Sequence, residues 1–484
     1  MRRWLACFVF AGIGTVAASA QPQRTARVDG AEAATARRLA AIRNDPPSLR
    51  AFLREMPKGG DLHNHLSGSI YAESYLRWAA EDQLCWVVAT MTIAAGSCDP
   101  AAGRPPVSAV LQNSTLYNQA IDALSMRNWN PALNGHDHFF ATFDRFSAAT
   151  VSRRGEMLAE IVARAASERV SYMELMLSPA SASAVQFASR IDRMVGASPD
   201  LARAREQLLA AGFVEAIRTE TRSRLDLMEA RQRDLLRCGT PQADAGCKVT
   251  VRYIAQVQRA SPPELVFTQM VAGFELVAIE PRLVSLNLVQ PEDDPNALRY
   301  FGLQMAMLDF LHRQYARVPI VLHAGELAEG LVPPEALGSH VKESIRTGHA
   351  IRIGHGADVF DEDDPFALVK EMAAKKILVE VALSSSEQIL GLRGTRQPLR
   401  FYLQHGVPVA LATDDMGVAR SSHTHEFVKA VEEHDLDYLT LKRLARNSID
   451  YAFADAATKA RLKADLEAAL AAFERRQSAG IPKS

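Results

Sequence analysis

Eight short apolar runs, most of them separated by helical patterns, constrain the possible folds of this chain more than any other feature. We predict strands around His63 and over residues 170–177, 249–257, 271–277, 318–323, 351–355, 377–383 and 407–413. The later runs are almost continuously apolar, which is typical of parallel strands buried on both faces. The pattern predicts an α/β fold, a (β/α)8 barrel of the TIM type with extra N- and C-terminal helices. A doubly wound open sheet is the alternative, but no Gly-x-Gly-x-x-Gly loop follows any predicted strand.

The first twenty residues have the pattern of an export signal. A positively charged start precedes an apolar run from Trp4 to Val16, and Ala18-Ser19-Ala20 offers a small-residue cleavage site. The run is too short to cross a bilayer as a helix, and no later segment is longer, so we expect no stable membrane anchor. An uncleaved anchor is the alternative. We expect an exported protein, periplasmic or secreted.

Beyond the signal peptide at 1–20, the chain divides into two parts. Residues 21–56 read as an N-terminal helical segment, and residues 57–484 as the barrel. An irregular stretch at about 84–112, rich in Gly and Pro, reads as an insertion after the first strand.

Five cysteines are present, and Cys7 would leave with the signal. The other four allow three disulfide connectivities, of which the local one, Cys85 with Cys98 and Cys238 with Cys247, is the simplest. Pairing fits an oxidising compartment, and four free thiols are the alternative. The local pairing would staple the insertion after the first strand.

The net charge of the chain excludes only some classes of binding partner. The formal net charge of −1 gives no attraction to nucleic acid or to an anionic membrane surface, so we expect a small-molecule substrate and no nucleic-acid partner. The sequence leaves the oligomeric state open, and a homodimer is compatible with it.

Ionisable side chains gather at the predicted carboxyl ends of the strands, the edge on which barrel enzymes build their active sites. His63 and His65 project to one side of the first strand, because side chains on a strand alternate. The others follow later strands, and they are His323, Glu326, His355, Asp414 and Asp415. Such groups are costly to bury without a partner. Three imidazoles and a carboxylate suit a metal ion such as zinc, which would keep a water for hydrolysis.

The remaining histidines are weaker candidates. His136 and His138 read as a loop or helix start, whereas His423 and His425 follow the eighth strand and are candidates for substrate contact. His340, like His312, His349, His405 and His434, reads as a surface residue.

The motifs resemble the adenosine deaminase family, within the metal-dependent amidohydrolase superfamily. They occur in the family's order and are Met56-Pro57-Lys58-Gly59-Gly60, Leu62-His63-Asn64-His65, His323-Ala324-Gly325-Glu326, Gly354-His355-Gly356 and Thr413-Asp414-Asp415. The Met-Pro-Lys-Gly lead, the signal and the cysteine-bearing insertion are most similar to the secreted branch, the adenosine deaminase-related growth factors.

The resemblance implies hydrolytic deamination of adenosine or a related 6-aminopurine nucleoside. It implies that one Zn2+ per chain binds four ligands, namely His63, His65, His323 and Asp414. Glu326 would protonate the purine N1, His355 would orient or deprotonate the attacking water, and Asp415 would hold the water and the N7 edge. These roles suit the chemistry, because attack at C6 places charge on the ring that an acid at N1 relieves.

Three departures from the family's pattern bear on the substrate. Near the seventh strand, Glu380-Val-Ala-Leu-Ser-Ser-Ser386 replaces the usual Cys-Pro-containing segment. Ser67 stands in the region where the family often has an Asp that reaches the ribose. Ala278 falls where the family has a Gly whose backbone meets the purine, so both residues are candidate substrate contacts. A modified purine therefore remains open. The alternatives are an amidohydrolase acting on another amine or amide, and an exported binding or signalling protein with a relic site.

Overall fold

Two four-stranded parallel sheets form the centre of the protein. The computed structural model describes residues 1, 30–130, 135–194 and 199–479. Apart from its first residue, the predicted signal peptide lies outside these ranges. In chain order the strands are β1 (Gly59–His65), β2 (Cys85–Val87), β3 (Thr92–Ala94), β4 (Val170–Leu177), β5 (Thr250–Gln258), β6 (Leu283–Val289), β7 (Val321–Ala324), β8 (Arg352–His355), β9 (Leu378–Val381) and β10 (Val409–Leu411).

The strand order follows the chain. One sheet runs β1-β4-β5-β6 and the other β10-β9-β8-β7, and every neighbouring pair in both is parallel. A parallel bridge joins Asn64 to Asp414 between β1 and the chain after β10, and another joins Leu286 of β6 to Ile320 just before β7. The carboxyl ends of all eight strands therefore lie at one edge of the α/β fold.

Helices lie between the strands and at both ends of the described chain. They are α1 (Gly30–Ile42), α2 (Pro46–Glu55), α3 (Ala72–Glu81), α4 (Val107–Val110), α5 (Ser114–Ala123), α6 (His136–Phe146), α7 (Arg154–Ser167), α8 (Ser181–Ala188), α9 (Leu201–Ala210), α10 (Phe213–Leu235), α11 (Pro263–Ile279), α12 (Pro295–His312), α13 (His340–Arg346), α14 (Pro365–Lys375), α15 (Leu383–Leu390), α16 (Leu399–Gln404), α17 (His423–Glu432), α18 (Tyr438–Asp450) and α19 (Ala456–Ala479). Near the N-terminus, α1 packs against α19. Among the described residues, none of these helices has the length and apolarity to cross a membrane.

The predicted fourth strand, residues 271–277, is wrong, because this stretch belongs to α11. The helix is buried over most of its circumference from Val266 to Leu276, so its sequence shows a continuous apolar run and not an amphipathic period. The true fourth strand of the central sheets is β6. Ala278 consequently lies near the end of a helix and not at a strand end.

The insertion after β1 carries the antiparallel pair β2 and β3. The Cα atoms of Cys85 and Cys98 lie 5.4 Å apart there. Beyond α10, the Cα atoms of Cys238 and Cys247 are 5.6 Å apart. Both distances lie within the range that a disulfide needs.

Beneath the strand ends, a network of buried charges crosses the interior. The Arg352 guanidinium contacts Glu174 at 2.7 Å and Glu380 at 2.5 Å, with all three side chains at most 1% exposed. It also lies over the Phe453 ring at 3.9 Å. Every member has an oppositely charged partner, which buried charges require. The network reaches the site through Glu380.

Candidate metal and catalytic site

Four side chains from β1, β7 and the chain after β10 converge at the carboxyl edge. His63 Nε2 lies 3.0 Å from His323 Nε2, and His65 Nε2 lies 3.2 Å from the same atom. Asp414 Oδ1 lies 3.4 Å from His63 Nε2 and 3.3 Å from His65 Nε2. All four residues are buried. The predicted ligands, which are up to 351 residues apart in sequence (414 minus 63), therefore form one compact group.

The second nitrogen of each of these imidazoles has a partner of its own. His63 Nδ1 donates to Glu380 Oε2 at 2.8 Å. His323 Nδ1 donates to Asn287 Oδ1 at 2.9 Å. A ring that donates its Nδ1 proton in this way leaves Nε2, which faces the group's centre, as the atom that would bind a metal ion, as in metal-binding histidines.

His65 follows the same rule with an amide partner. The side-chain amide of Gln256 lies 2.9 Å from His65 Nδ1. An amide and its 180° rotamer occupy the same space, so the amide oxygen can accept the ring N–H. Glu380, Asn287 and Gln256 were not recognised from the sequence; a polar residue inside an otherwise apolar strand was the available signal.

Asp414 completes the group with one free oxygen. Its Oδ2 accepts a hydrogen bond from Ser385 Oγ at 2.6 Å, while the buried Oδ1 has no hydrogen-bond partner. Its backbone φ of +53° lies in the left-handed region, which is unusual for a residue other than Gly. An unpartnered carboxylate oxygen facing three imidazole lone pairs fits a bound cation, so these four residues could hold a metal ion.

The three predicted reacting groups lie beside this cluster. Glu326 Oε1 is 3.6 Å from His355 Nε2. Buried atoms without hydrogen-bond partners include Glu326 Oε1, Asp415 Oδ1 and both ring nitrogens of His355. Buried polar atoms are nearly always paired, so this concentration marks a place where a ligand or water completes the bonding.

Burial sets the protonation of these groups. It raises the pKa of Glu326 well above its usual range, and the negative charges of Asp414 and Glu292 raise it further. Burial also raises the pKa of Asp415, again with Asp414 adding to it. Burial lowers the pKa of His355 to about 4. These shifts favour the protonated form of Glu326 and the neutral form of His355.

Two glycines make room for the site. A Cβ on Gly68 would lie 1.5 Å from Asp415 Oδ1, and one on Gly354 would lie 2.5 Å from the His63 ring. No side chain can occupy either position without displacing a polar group of the site. These contacts explain why glycine stands at both positions.

A cavity of about 430 Å3 opens onto the cluster. Its polar lining includes Ser67 and Asp415, both predicted as substrate contacts. Ala278 does not line it. The cavity wall after β6 is instead formed by Gln290, which has a left-handed φ of +79°. The Ala278 assignment is therefore wrong, because it followed from mistaking α11 for a strand.

The other candidate histidines make contacts within the fold instead of lining the cavity. His136 begins α6 and contacts Asp293 at 2.9 Å. His423 is buried 3.8 Å from Asp61, and neither it nor His425 lines the cavity. His340 and His434 are also buried, contrary to the prediction of surface positions.

Comparison with known proteins identifies the class. The adenosine deaminase family profile matches residues 123–469, which is most of the chain. Curated relatives include the adenosine deaminases of Enterococcus faecalis, 31% identical over 28% of this chain and 37% of the relative, and of Escherichia coli, 30% identical over 30% and 40%. The alignments thus span about two fifths of these relatives.

Solved structures share the fold. A zinc-bound amidohydrolase from Burkholderia ambifaria aligns with a TM-score of 0.57 at 17% identity, covering 89% of this chain and 94% of the other. The Arabidopsis N6-mAMP deaminase gives 0.55 at 18% identity, covering 86% and 99%. Arabidopsis ADAL complexed with IMP gives 0.53 at 18%, covering 87% and 99%.

The fold is shared with these solved amidohydrolase and deaminase structures, and a buried group of side chains that could hold a metal ion lies at its strand ends. The chain belongs to the adenosine deaminase family.

Proposed function

We propose that the protein is a zinc-dependent hydrolase that deaminates adenosine or a closely related 6-aminopurine nucleoside, giving an inosine-type product and ammonia. The observation that carries the proposal is the convergence of His63, His65, His323 and Asp414 beside Glu326, whose pKa burial raises. The family membership of the chain agrees with it.

Zinc is the metal that this group suits. Zinc binds His nitrogen and carboxylate oxygen at about 2.0–2.2 Å, so a tetrahedron of such ligands has edges of about 3.3–3.6 Å. The four separations between donor atoms, 3.0 to 3.4 Å, reach the lower end of this range, and the two between imidazoles are slightly shorter. Imidazole-rich sites with one carboxylate also favour zinc over the hard cations Mg2+ and Ca2+.

The residues divide the proton transfers among them. Zinc, when bound, lowers the pKa of a water to about 7 and so makes the nucleophile available near neutral pH. His355, neutral at that pH, accepts a hydrogen bond or a proton from the water. Asp415 orients the water and the N7 edge of the purine. Glu326 gives its proton to N1 as the water oxygen bonds to C6. The C6–N bond then breaks as the amine takes up the proton that His355 accepted from the water, and the hydroxyl proton at C6 returns to Glu326, so ammonia leaves and the product keeps C6=O and N1–H.

The cavity suits an uncharged nucleoside. Its apolar lining is mainly aromatic and comes from α6 through Phe139, Phe140 and Phe143. Neither Lys nor Arg is among the described lining residues, and residues 131–134, which lie outside the described ranges, contain neither type. The charged side chains at the mouth and floor are acidic or imidazole. A 5′-phosphate would find no basic partner there, so we propose a nucleoside in preference to a nucleotide.

We also propose that the eight parallel strands close into a (β/α)8 barrel. The bridges Asn64–Asp414 and Leu286–Ile320, one between each pair of sheet edges, support closure. The motifs around Lys58 and the two paired cysteine loops support a place near the secreted growth-factor branch. Export to an oxidising compartment, with both disulfides formed, is part of this proposal.

A substrate panel tests the proposal. Zinc-loaded protein is incubated with adenosine, 2′-deoxyadenosine, N6-methyladenosine, adenine and AMP, and product and ammonia are measured. We expect turnover of at least one nucleoside, with AMP at least about tenfold slower in kcat/KM because its phosphate lacks a cationic partner. Absence of turnover with every 6-aminopurine would refute the deaminase assignment. Faster turnover of AMP would refute the nucleoside preference.

A further inference from the structure

A buried ion pair outside the proposed catalytic set lies directly behind the loop that joins a metal ligand to the proposed acid. We call the segment His323-Ala324-Gly325-Glu326 the loop; its first two residues are the last two of β7, and the other two leave the strand. Arg259 Nη1 and Glu292 Oε1 are 3.4 Å apart, and the two side chains are 2% and 1% exposed. They come from the ends of β5 and β6, the strands that precede β7 in the chain.

The two partners contact opposite ends of this loop. Arg259 Nη2 donates to the His323 carbonyl at 2.6 Å, and also to the Leu288 carbonyl at 3.0 Å. Glu292 Oε2 accepts from the backbone N–H of Glu326 at 2.8 Å. One ion pair therefore contacts the first and the last residue of a four-residue loop.

Other groups fix the pair in turn. His340 Nδ1 lies 2.7 Å from Glu292 Oε1, and the His340 ring stacks on Phe301 at 3.9 Å. The Gln304 amide donates to the backbone carbonyl of Arg259 at 2.8 Å. Although burial opposes ionisation, Arg259 and His340 lower the pKa of Glu292 to about 2, so the carboxylate is charged.

Stability alone is a weak reason to keep such a pair. Removing two charges from water is costly, and apolar replacements often serve as well. A guanidinium and a carboxylate do offer hydrogen-bonding capacity beyond their mutual contact, and here that capacity is directed at the loop. Groups behind metal ligands typically change affinity or activity about 10- to 100-fold when they are lost.

We propose that the Arg259–Glu292 pair is a clamp with two separate positioning functions. Arg259 positions the metal ligand His323 through its carbonyl, and Glu292 positions the acid Glu326 through its amide. The roles of His323 and Glu326 rest on the proposed function. The clamp itself predicts that the two halves of one ion pair give different defects.

Two conservative variants separate these functions. Arg259→Lys keeps the positive charge but cannot span both carbonyls with a planar fork. Glu292→Gln keeps the shape, but an amide accepts hydrogen bonds through one oxygen only, whereas the carboxylate serves donors through both. Glu474→Gln is the matched control, since Glu474 is a buried carboxylate paired with Lys442 at 2.6 Å in the C-terminal helices.

The readouts are the zinc dissociation constant of the metal-free protein, from competition with a chromogenic chelator, and kcat and KM of the zinc-saturated enzyme. We expect Arg259→Lys to weaken zinc binding about 10- to 100-fold. We expect Glu292→Gln to keep zinc affinity within about threefold of wild type, and to lower kcat about 10- to 100-fold with little change in KM. The control should alter the melting temperature alone.

Equal effects of the two variants on zinc affinity would overturn the clamp, as would the absence of any effect beyond that of the control. The zinc measurements need no turnover. If wild type deaminates no purine, the proposed function fails, and the difference in zinc affinity between Arg259→Lys and Glu292→Gln still decides whether the clamp exists.

Discussion

The candidate metal ligands and the candidate reacting groups lie side by side, yet their surroundings differ in one respect. Each ligand imidazole uses its second nitrogen for a fixed partner, as in the contact of His63 with Glu380 at 2.8 Å, and Asp414 uses its second oxygen for Ser385. Glu326, His355 and Asp415 instead keep buried atoms without hydrogen-bond partners.

The difference matches the demands of the two tasks. A ligand must present one lone pair in one direction, so a second contact that fixes tautomer and rotamer is useful. A group that exchanges protons with substrate needs an atom left for it, and the cost of leaving that atom unpaired is borne by the rest of the fold. Removing a reacting group should therefore abolish turnover and leave metal affinity unchanged. Removing the second contact of a ligand should weaken metal binding and change turnover at saturating metal much less.

The largest effect is expected from Glu326→Gln. The amide cannot give a proton to N1, so kcat should fall about 10²- to 10⁴-fold. Zinc content, measured by atomic emission on the same preparation, should stay at the wild-type value. A variant that retains wild-type kcat would show that Glu326 is not the acid and would favour the relic-site interpretation.

The next effect is expected from Glu380→Gln. The carboxylate accepts from His63 and also faces Arg352, whereas an amide serves only one of these donors. Zinc affinity should weaken about 10- to 100-fold, and kcat at saturating zinc should change much less. If kcat falls while zinc affinity is unchanged, the division between fixed ligands and free reacting groups does not hold.

A smaller effect is expected where α6 meets the loop after β6. His136 of this helix contacts Asp293 at 2.9 Å, and α6 carries the aromatic wall of the cavity. Asp293→Asn weakens a partly exposed pair worth up to about 1 kcal/mol, so KM should rise no more than about fivefold with kcat unchanged. A fall in kcat without a change in KM would mean that this contact acts on the reacting groups.

The contact between His136 and Asp293 also depends on pH, in the direction given by the pKa shift of His136. Burial alone would lower the pKa of His136, but the hydrogen bonds that its ring donates to Asp293 and Asp137 raise it. The stabilising contribution of this contact is therefore fully present below the ordinary His pKa of 6.5. It is lost as the pH rises through the raised pKa of His136 in the folded protein. KM of wild type should therefore rise on the alkaline side, and Asp293→Asn should flatten that rise.

The smallest effect on turnover is expected from His423, a buried histidine away from the cavity and 3.8 Å from Asp61. Burial, together with the charge of Lys58, lowers its pKa to about 3. Between pH 6.5 and about 3 only the unfolded chain takes up this proton, so it removes up to about 1.4 kcal/mol of unfolding free energy per pH unit. His423→Gln should show a shallower loss in urea titrations over this range, with kcat at neutral pH unchanged. An identical slope would mean that the histidine titrates normally when folded.

The sequence predicted the elements whose signal is local. Seven of the eight central strands lie at or near their predicted positions, and the grouping of His63, His65, His323 and Asp414 followed from placing each at a strand end. The α11 error shows the limit, because a helix buried all round loses its period of 3.6 residues. A strand and such a helix then differ only in length and flanking residues.

The residues that contact the site from behind could not be predicted from the sequence, for a different reason. Glu380, Asn287 and Arg259 each lie within or at the end of a strand, and nothing local tells which distant group they face. Their partners are fixed by the register between strands and by the curvature of the sheets. Only the three-dimensional arrangement brings Glu380 to His63 across 317 residues of sequence.

The most direct test of the account is a zinc titration of the metal-free protein with adenosine deamination as the readout. One site built from His63, His65, His323 and Asp414 predicts that activity rises in proportion to added zinc and stops rising at one equivalent per chain. Full activity without metal, or a rise that continues to two equivalents, would contradict it.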